Sequence, residues 1–231
     1  MHTQGLALQE SPERQAPPAT DNIVLVGLPG VGKSSVGRRL ANRLDLPFAD
    51  ADVEIERAAG MSIKDIFATH GEAAFRDGET RVIARLLREG PRVIATGGGA
   101  FMSPATREAI AAHGISVWLD ASNEVLLARI ARRNNRPLFN GVDPRERLNE
   151  LRAVRDPVFA EANIRIASSA GPHERVVNRI VNALRVQGRL SRPRFGQKSS
   201  RTPPTSLPRS GPCGSPSRCR DAPMTSSSVR A

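Results

Sequence analysis

The chain has 231 residues, a length that suits one domain with short extensions. It contains 34 Lys and Arg against 23 Asp and Glu, but residues 188–231 alone hold nine Lys and Arg and one Asp, a net +8. Residues 1–20 carry −1, which leaves residues 21–187 with only +4. Because the positive charge belongs mainly to a tail and not to a folded face, we expect no specific nucleic-acid partner.

The sequence also argues against a membrane-spanning protein and against a domain that is held together by disulfides. The longest apolar stretches, such as Ile23–Val26 and Val117–Leu119, are far shorter than the ~20 residues of a membrane-spanning helix. The N-terminal segment has no charged start followed by an apolar block, so we expect a cytoplasmic protein without a secretory signal. Cys213 and Cys219 lie in the tail with no His nearby, and they predict neither a disulfide framework nor a metal site.

Composition divides the chain into three segments. Residues 1–20 are rich in polar residues and Pro, and residues 188–231 are rich in Ser, Pro and Arg. Both have too few apolar side chains to offset the entropy cost of ordering, so we expect disordered extensions. Residues 21–187 are long enough to form one well-buried core.

Between residues 21 and 187, short apolar runs alternate with longer segments of helical period. This pattern predicts a three-layer α/β/α domain with a five-stranded parallel sheet, whose strands are apolar because they are buried on both faces. Strands are predicted at residues 23–26, 46–49, 92–95, 116–119 and 164–167. Helices are predicted at residues 33–44, 53–59, 63–88 with a break at Gly71, 104–113, 122–134, 145–160 and 173–186.

The first predicted strand is followed by GLPGVGKS, which fits the phosphate-loop pattern G-x-x-x-x-G-K-[ST]. Its glycines allow backbone angles that a Cβ would block, so that successive N–H groups can point at phosphate oxygens. Lys33 is then predicted to reach the β- and γ-phosphates, and Ser34 to ligate Mg²⁺. A plain glycine-rich turn is the alternative, and the position between a strand and a helix argues against it.

The second predicted strand ends in two carboxylates, Asp50 and Asp52. Two positions apart in an extended segment, they are expected to project together beside the phosphate loop. One then suits magnesium or its waters, and the other can accept a proton from an acceptor hydroxyl. The alternative is that Asp52 merely caps the next helix.

The third predicted strand runs into three consecutive glycines, Gly97, Gly98 and Gly99. Three glycines in a row are costly in backbone entropy, and a plain turn rarely needs more than two. Close approach of the backbone to a ligand explains them better than a flexible loop does.

Three arginines stand out because of their surroundings. Arg76 has Glu79 one helical turn later, which can orient its guanidinium group. Arg136 lies in RRNNRPLFNG, where Asn, Pro and Gly indicate a mobile loop. Arg155 comes just before an Asp-Pro pair that interrupts the helical pattern. Isolated arginines are usually solvated surface, so only their occurrence together with the loops above marks them as candidates.

The ordered set of motifs resembles the shikimate kinase family over nearly all of residues 21–187. The motifs are GLPGVGKSSVGRRLA, FADADVEIE, SIKDIFATHGEAAFRDGE, VIATGGGA, RPLF and RDPVF, in the family's order and at about its spacing. The resemblance implies a nucleoside-monophosphate-kinase-like phosphate-loop fold with substrate-binding helices and a lid that closes over ATP. It implies transfer of the γ-phosphoryl group of ATP to the 3-hydroxyl of shikimate, a step of aromatic amino acid synthesis.

The resemblance also implies a role for each matched residue on the nucleotide side. The positions that match the ATP-binding residues are Gly30, Val31, Gly32, Lys33, Ser34, Ser35, Arg129 and Arg136. Among these, Arg129 packs on adenine, and Arg136 reaches the phosphates with the lid. Mg²⁺ is held by Ser34, with Asp50 reaching its water ligands.

On the acceptor side, the resemblance implies that Asp52 binds the shikimate hydroxyls and serves as the base. Arg76 and Arg155 bind the shikimate carboxylate, for which bidentate guanidinium groups are suited. The pocket is lined by the glycine run Gly97–Gly99. Lys33, Asp52 and Arg136 form the implied catalytic set.

Two features depart from the family pattern: Pro29 within the phosphate loop and the tail beyond about residue 187, which has no counterpart. The nearest alternative is another kinase of the same fold, such as a gluconate kinase or a nucleoside-monophosphate kinase. A neutral polyol acceptor would leave Arg76 and Arg155 without a carboxylate, and a nucleotide would need a larger pocket. A non-catalytic ligand sensor is a further alternative, but neither terminus contains a helix-turn-helix pattern. We expect a monomer that acts on small molecules.

Overall fold

The structure, a computed structural model, describes residues 21–131 and 143–190. The predicted disordered extension 1–20, Arg136 and the tail from residue 191 lie outside the described residues. The strands are β1 (Asn22–Val26), β2 (Phe48–Asp50), β3 (Val93–Ala95), β4 (Gly114–Asp120) and β5 (Ile164–Ala167). The helices are α1 (Lys33–Leu44), α2 (Ala51–Ala59), α3 (Ile63–Arg88), α4 (Pro104–His113), α5 (Asn123–Ala131), α6 (Pro144–Phe159) and α7 (His173–Val186), with a 3₁₀ turn at Ala100–Met102.

The five strands form one parallel sheet in the order β2-β3-β1-β4-β5. This confirms the predicted five-stranded parallel sheet covered by helices. The chain leaves β1 toward β2 and leaves β3 toward β4, in opposite directions along the sheet. Such a reversal opens a crevice at the carboxyl ends of neighbouring strands, here β1 and β3.

β1 is the middle strand of the sheet and lies at the centre of the hydrophobic core. All five of its residues are buried, because helices cover both faces of the sheet and strands flank it on both sides. At the sheet edge, β5 instead alternates buried and exposed side chains. α3 changes direction at Gly71, whose backbone angles (φ 79°, ψ 174°) are not helical, as the predicted break requires.

Asp52 lies in a different local structure from the predicted one. β2 ends at Asp50 and α2 begins at Ala51, so Asp52 is in the first turn of a helix. The prediction of an extended segment is therefore wrong. The alternative that Asp52 caps the helix is also wrong, because the cap is Asp50, whose Oδ1 accepts a hydrogen bond from the Asp52 N–H at 3.3 Å.

The predicted helix over residues 145–160 is confirmed within one residue at each end, whereas the expected interruption at the Asp-Pro pair is wrong. The helix continues through Pro157 to Phe159. Pro157 removes one N–H donor only in the last turn, which still closes through the Ala160 N–H to the Asp156 carbonyl at 2.9 Å. Phe159 is buried in the core, and this burial keeps the last turn in place.

None of the helices among residues 21–131 and 143–190 is both long and apolar enough to cross a membrane.

The described chain keeps its contacts past residue 187. Arg189 donates to Asp21 at 2.5 Å, and its backbone N–H bonds to the Leu184 carbonyl at 2.9 Å. Leu190 packs against the hydrophobic core. The predicted tail boundary after Gln187 therefore falls three residues before the last contacts that the structure describes.

We predict that a chain ending after Leu190 melts at the same temperature as the full chain. A chain ending after Gln187 loses the Leu190 packing, and its melting temperature should fall by about 1–4 °C, given roughly 2–4 °C per kcal/mol for a domain of this size. Removing residues 191–231 takes away eight Lys and Arg and one Asp, so retention on heparin should also drop and become less salt-dependent. Thermal melts of the three chains and a salt series on heparin test this. A fall of several degrees after truncation at Leu190 would contradict it.

Candidate active site

The phosphate loop has the backbone that its sequence predicts. Gly27, Gly30 and Gly32 all have positive φ angles, of 137°, 90° and 103°. Gly32 is the N-cap of α1, so the loop leads directly into the positive end of a helix dipole at Ser34 and Ser35. The arrangement provides a cradle of backbone N–H groups at a helix N-terminus, which is suited to phosphate.

Lys33 is buried within this loop, with 8% of its surface exposed. Its Nζ donates to the carbonyl oxygens of Gly27 (2.8 Å) and Leu28 (3.1 Å). The ammonium group therefore lies just beyond the carboxyl end of β1, inside the phosphate loop. A phosphate group at this position can replace the two carbonyl oxygens as the partner of the charge.

The glycine run after β3 is closely packed on three sides by other parts of the protein. A Cβ on Gly97 would lie 2.7 Å from Glu79 Oε1 and 2.9 Å from Asp52 Oδ1. A Cβ on Gly98 would lie 2.7 Å from the Pro29 ring, and one on Gly99 would lie 2.8 Å from Arg76 Nη1.

Each glycine of the run thus admits a different neighbour, and any side chain would displace it. We predicted close approach to a ligand, and the structure shows close approach of protein side chains. Pro29, the departure from the family pattern, is the residue that joins the phosphate loop to this run.

Asp52 is one of the two carboxylates that lie against Gly97, together with Glu79. Burial raises the pKa of Asp52, and the neighbouring Asp50 carboxylate raises it further. Lys33 and Arg76 oppose both effects without cancelling them. A carboxylate whose pKa is raised in this way is a better proton acceptor than an ordinary exposed aspartate.

Two guanidinium groups flank the glycine run. Arg76 Nη1 donates to Glu79 Oε2 at 2.7 Å, and its Nη2 lies 3.2 Å from Glu72 Oε1. Arg155, from α6, donates through Nη1 to the Gly98 carbonyl at 3.0 Å. Burial and the positive charge of Arg76 lower the pKa of Arg155, so the pocket between the two arginines is one that favours an anion.

Glu79 is a site residue that the sequence assigned only to orienting Arg76. It is 2% exposed, and its Oε1 has no hydrogen-bond partner within the described part of the chain. Burial raises the pKa of Glu79, whereas Arg76 lowers it. The spacing of three residues between Arg76 and Glu79 in the sequence predicts their contact. Only the structure shows that Glu79 Oε1 lies against Gly97.

On the other side of the phosphate loop, Arg129 links three segments. Its Nη1 donates to the Val31 carbonyl at 2.5 Å and lies 3.3 Å from Ser168 Oγ, and its Nη2 donates to the Ser169 carbonyl at 2.9 Å. The guanidinium group therefore joins the phosphate loop to the loop that follows β5.

His173 was not identified from the sequence. It is the first residue of α7, and its Cε1 would lie 3.4 Å from a Cβ on Gly32. Burial and the charges of Arg129 and Arg39 lower the pKa of His173, and the Glu174 carboxylate opposes them only in part. His173 forms a wall of the phosphate loop on the side of Arg129.

We predict that Asp52→Asn raises the melting temperature of the unliganded protein at pH 7. A raised pKa in the folded state means that ionised Asp52 costs stability above that pKa, and the cost disappears as the pH falls toward the ordinary value of about 3.8. The gain should therefore be present at pH 7 and absent near pH 4. Asp77→Asn, at an exposed position of α3, is the matched control in melts across this pH range. A lower melting temperature for Asp52→Asn at pH 7 would contradict the burial argument.

Comparison with known proteins places the chain in a family. The family model for shikimate kinase matches residues 29–185. The shikimate kinase of Bradyrhizobium diazoefficiens is 51% identical over 187 residues, which cover 80% of this chain and 90% of that protein. The shikimate kinase of Caulobacter vibrioides is 57% identical over 170 residues, covering 74% and 85%.

Solved structures agree with this relationship. The shikimate kinase from Acinetobacter baumannii in complex with shikimate superposes with a TM-score of 0.69 at 39% identity, covering 72% of this chain and 94% of that chain. The region that the family model matches, residues 29–185, contains the phosphate loop from Pro29 onward, the glycine run and the helices that carry both flanking arginines. On these grounds, the chain belongs to the shikimate kinase family.

Proposed function

We propose that this protein is a shikimate kinase, which transfers the γ-phosphoryl group of ATP to the 3-hydroxyl of shikimate and yields 3-phosphoshikimate and ADP. The observation that carries the proposal is the pair of guanidinium groups, Arg76 and Arg155, on either side of the glycine run and within reach of Asp52 and the phosphate loop. A small acceptor with a carboxylate at one end and hydroxyls at the other matches this order of charges.

In this proposal, Arg76 and Arg155 bind the acceptor carboxylate. Glu79 holds Arg76 through a 2.7 Å bond and thereby orients its guanidinium plane toward Gly99. The glycine run Gly97–Gly99 lines the pocket, and its lack of side chains lets Asp52 and Arg76 lie close to the backbone there. Asp52 then accepts hydrogen bonds from the acceptor hydroxyls.

The nucleotide occupies the phosphate loop from the other side. Residues Gly30–Ser35 hold its phosphates through their N–H groups, and Lys33 moves from its carbonyl partners onto the β- and γ-phosphates. Arg136, from a segment outside the described residues, adds positive charge there. Arg129 lies where the loop after β5 meets the phosphate loop, which supports a role beside adenine.

The residues present suit a magnesium ion, which prefers oxygen ligands and retains several waters. Ser34 offers a hydroxyl in the first turn of α1. Asp50 uses Oδ1 for the Asp52 N–H, and its other oxygen is available to bind a water ligand. When bound, Mg²⁺ neutralises negative charge that develops on the phosphates during transfer.

Asp52 is the proposed base. Its raised pKa brings it closer to the working pH, where a base is most effective. Because phosphoryl transfer has a loose transition state, little of the proton moves early, and Asp52 acts mainly by orienting the hydroxyl. Positive charge from Lys33 and Arg136 stabilises the oxygens of the transferring group.

We further propose that the protein works in the cytoplasm as a monomer, on shikimate and ATP, without a specific nucleic-acid or membrane partner. The charge distribution supports the absence of a specific nucleic-acid partner, since most of the excess positive charge lies in residues 188–231 and not in the domain.

The decisive experiment is a coupled ADP-release assay with ATP and Mg²⁺ against shikimate, gluconate, AMP and no acceptor. We expect release that depends on shikimate. Lys33→Met should lower turnover by roughly 10²–10³, because a charge on the β- and γ-phosphates is lost as charge moves in the transition state. Its melting temperature serves as the control for folding. Equal release without acceptor would overturn the assignment, and full activity of Lys33→Met would contradict the role of the loop.

The carboxylate pocket can be tested separately. Arg76→Lys and Arg155→Lys should each raise the KM for shikimate far more than the KM for ATP, because a point charge replaces a planar bidentate donor. Arg81→Lys, at an exposed position on α3, is the matched control. If only ATP binding suffered, the two arginines would belong to the nucleotide side.

A further inference from the structure

Arg152 lies on α6 outside the pocket and ties this helix to the sheet. Its guanidinium group donates to Asp156 Oδ2 at 2.8 Å, to Asn123 Oδ1 at 2.6 Å and to the Ala121 carbonyl, and it lies 3.4 Å from Asp120 Oδ1. Its side chain is only 21% exposed. We call these five residues the Arg152 clamp. The clamp connects the middle of α6 with the end of β4 and the start of α5.

The same helix carries Arg155 three residues later. Arg155 reaches the glycine run through its 3.0 Å bond to the Gly98 carbonyl. At the end of α6, the Phe159 ring lies 5.9 Å from the Trp118 ring and 6.3 Å from the Phe101 ring. Arg155 therefore sits between a polar anchor on one side and an aromatic anchor on the other.

An anchor is needed because the two pocket arginines repel each other. Arg76 is compensated by the carboxylates of Glu79 and Glu72. Among residues 21–131 and 143–190, Arg155 has no carboxylate within ion-pair distance. Burial and the positive charges of Arg76 and Arg147 lower its pKa, and the carboxylates of Glu72 and Glu79 offset this only in part. Repulsion of this kind favours any movement of α6 that carries Arg155 away from α3.

We propose that Arg152 is a positioning residue, which holds α6 so that Arg155 stays beside Arg76 before the acceptor binds. A pocket that is formed in advance does not spend binding energy on bringing its charges together, so the clamp increases affinity for the acceptor carboxylate. This inference rests on the proposed function, in which that carboxylate is the ligand of Arg155.

The local charges allow the clamp to be opened without unfolding the end of β4. Asp120 keeps Arg165 as a second partner at 2.7 Å, and Arg165 also lies over the Trp118 ring. Arg152→Met retains most of the apolar stem and removes all the donors. What this variant loses is the connection between α6 and the sheet.

The test compares Arg152→Met with the wild-type protein and with Arg145→Met, which removes an exposed arginine of the same helix. Arg152→Met should raise the KM for shikimate about tenfold, the size typical of coupling within one hydrogen-bond network, with little change in kcat or in the KM for ATP. Arg152→Lys should recover part of the loss, and Arg145→Met should behave as wild type. An unchanged shikimate KM, or an equal rise in both KM values, would overturn the proposal.

A double-variant cycle tests whether Arg152 acts through Arg155. If it does, Arg152→Met combined with Arg155→Lys raises the shikimate KM by less than the product of the two single effects. An effect equal to the product would show that the two residues act independently, and it would overturn the proposal.

Two controls keep the result interpretable. If a thermal melt shows that Arg152→Met is unfolded at the assay temperature, Asp156→Asn replaces it, since this variant weakens one contact of the clamp and keeps Arg152. It should raise the shikimate KM severalfold, and no rise would overturn the proposal. Wild-type turnover of shikimate is measured first, because its absence contradicts the proposed function, whereas turnover with an insensitive Arg152→Met contradicts the clamp alone.

Discussion

The close pairing of β1 with β3 is the constraint on which the site depends. Thr96, at the end of β3, donates to the Leu25 carbonyl of β1 through its backbone N–H at 3.2 Å and through its hydroxyl at 3.0 Å. These two bonds bring the loop after each strand to the same edge of the sheet. Pro29 then lies directly against Gly98, because glycine leaves no side chain between them. The phosphate loop and the proposed acceptor pocket therefore meet at the contact between Pro29 and Gly98.

Positive and negative side chains lie close together around this contact. Lys33 and Glu79 are buried, and Asp52 and Arg76 are partly buried. The Arg76–Glu79 ion pair offsets part of the cost of burying these charges. The pairing is incomplete: burial raises the pKa of both Asp52 and Glu79, and Glu79 has an oxygen without a described partner. Buried charges that are incompletely paired lower the stability of the unliganded protein. Binding sites often carry such a cost, because selection for binding opposes selection for stability.

The two sides of the crevice are held by different means. On the nucleotide side, Arg129 joins the phosphate loop to the loop after β5. On the acceptor side, Arg76 is held within its own helix by Glu79, whereas Arg155 depends on the placement of α6 as a whole. A helix that contributes one charge from a distance needs an anchor of its own. In our proposal, the Arg152 clamp is that anchor, and acceptor affinity depends in part on residues that do not contact the acceptor.

The sequence by itself determined the elements whose signals are local. The five strands, the phosphate loop with its glycines and the break at Gly71 follow from apolar runs, backbone freedom and motif spacing, and all appear in the structure. Tertiary structure decided what depends on distant neighbours. It placed Asp52 in a helix and packed Leu190 on the core. It also assembled the Arg152 clamp. In each case, burial or a hydrogen bond between residues far apart in the chain outweighs local preference, and no local pattern records such partners.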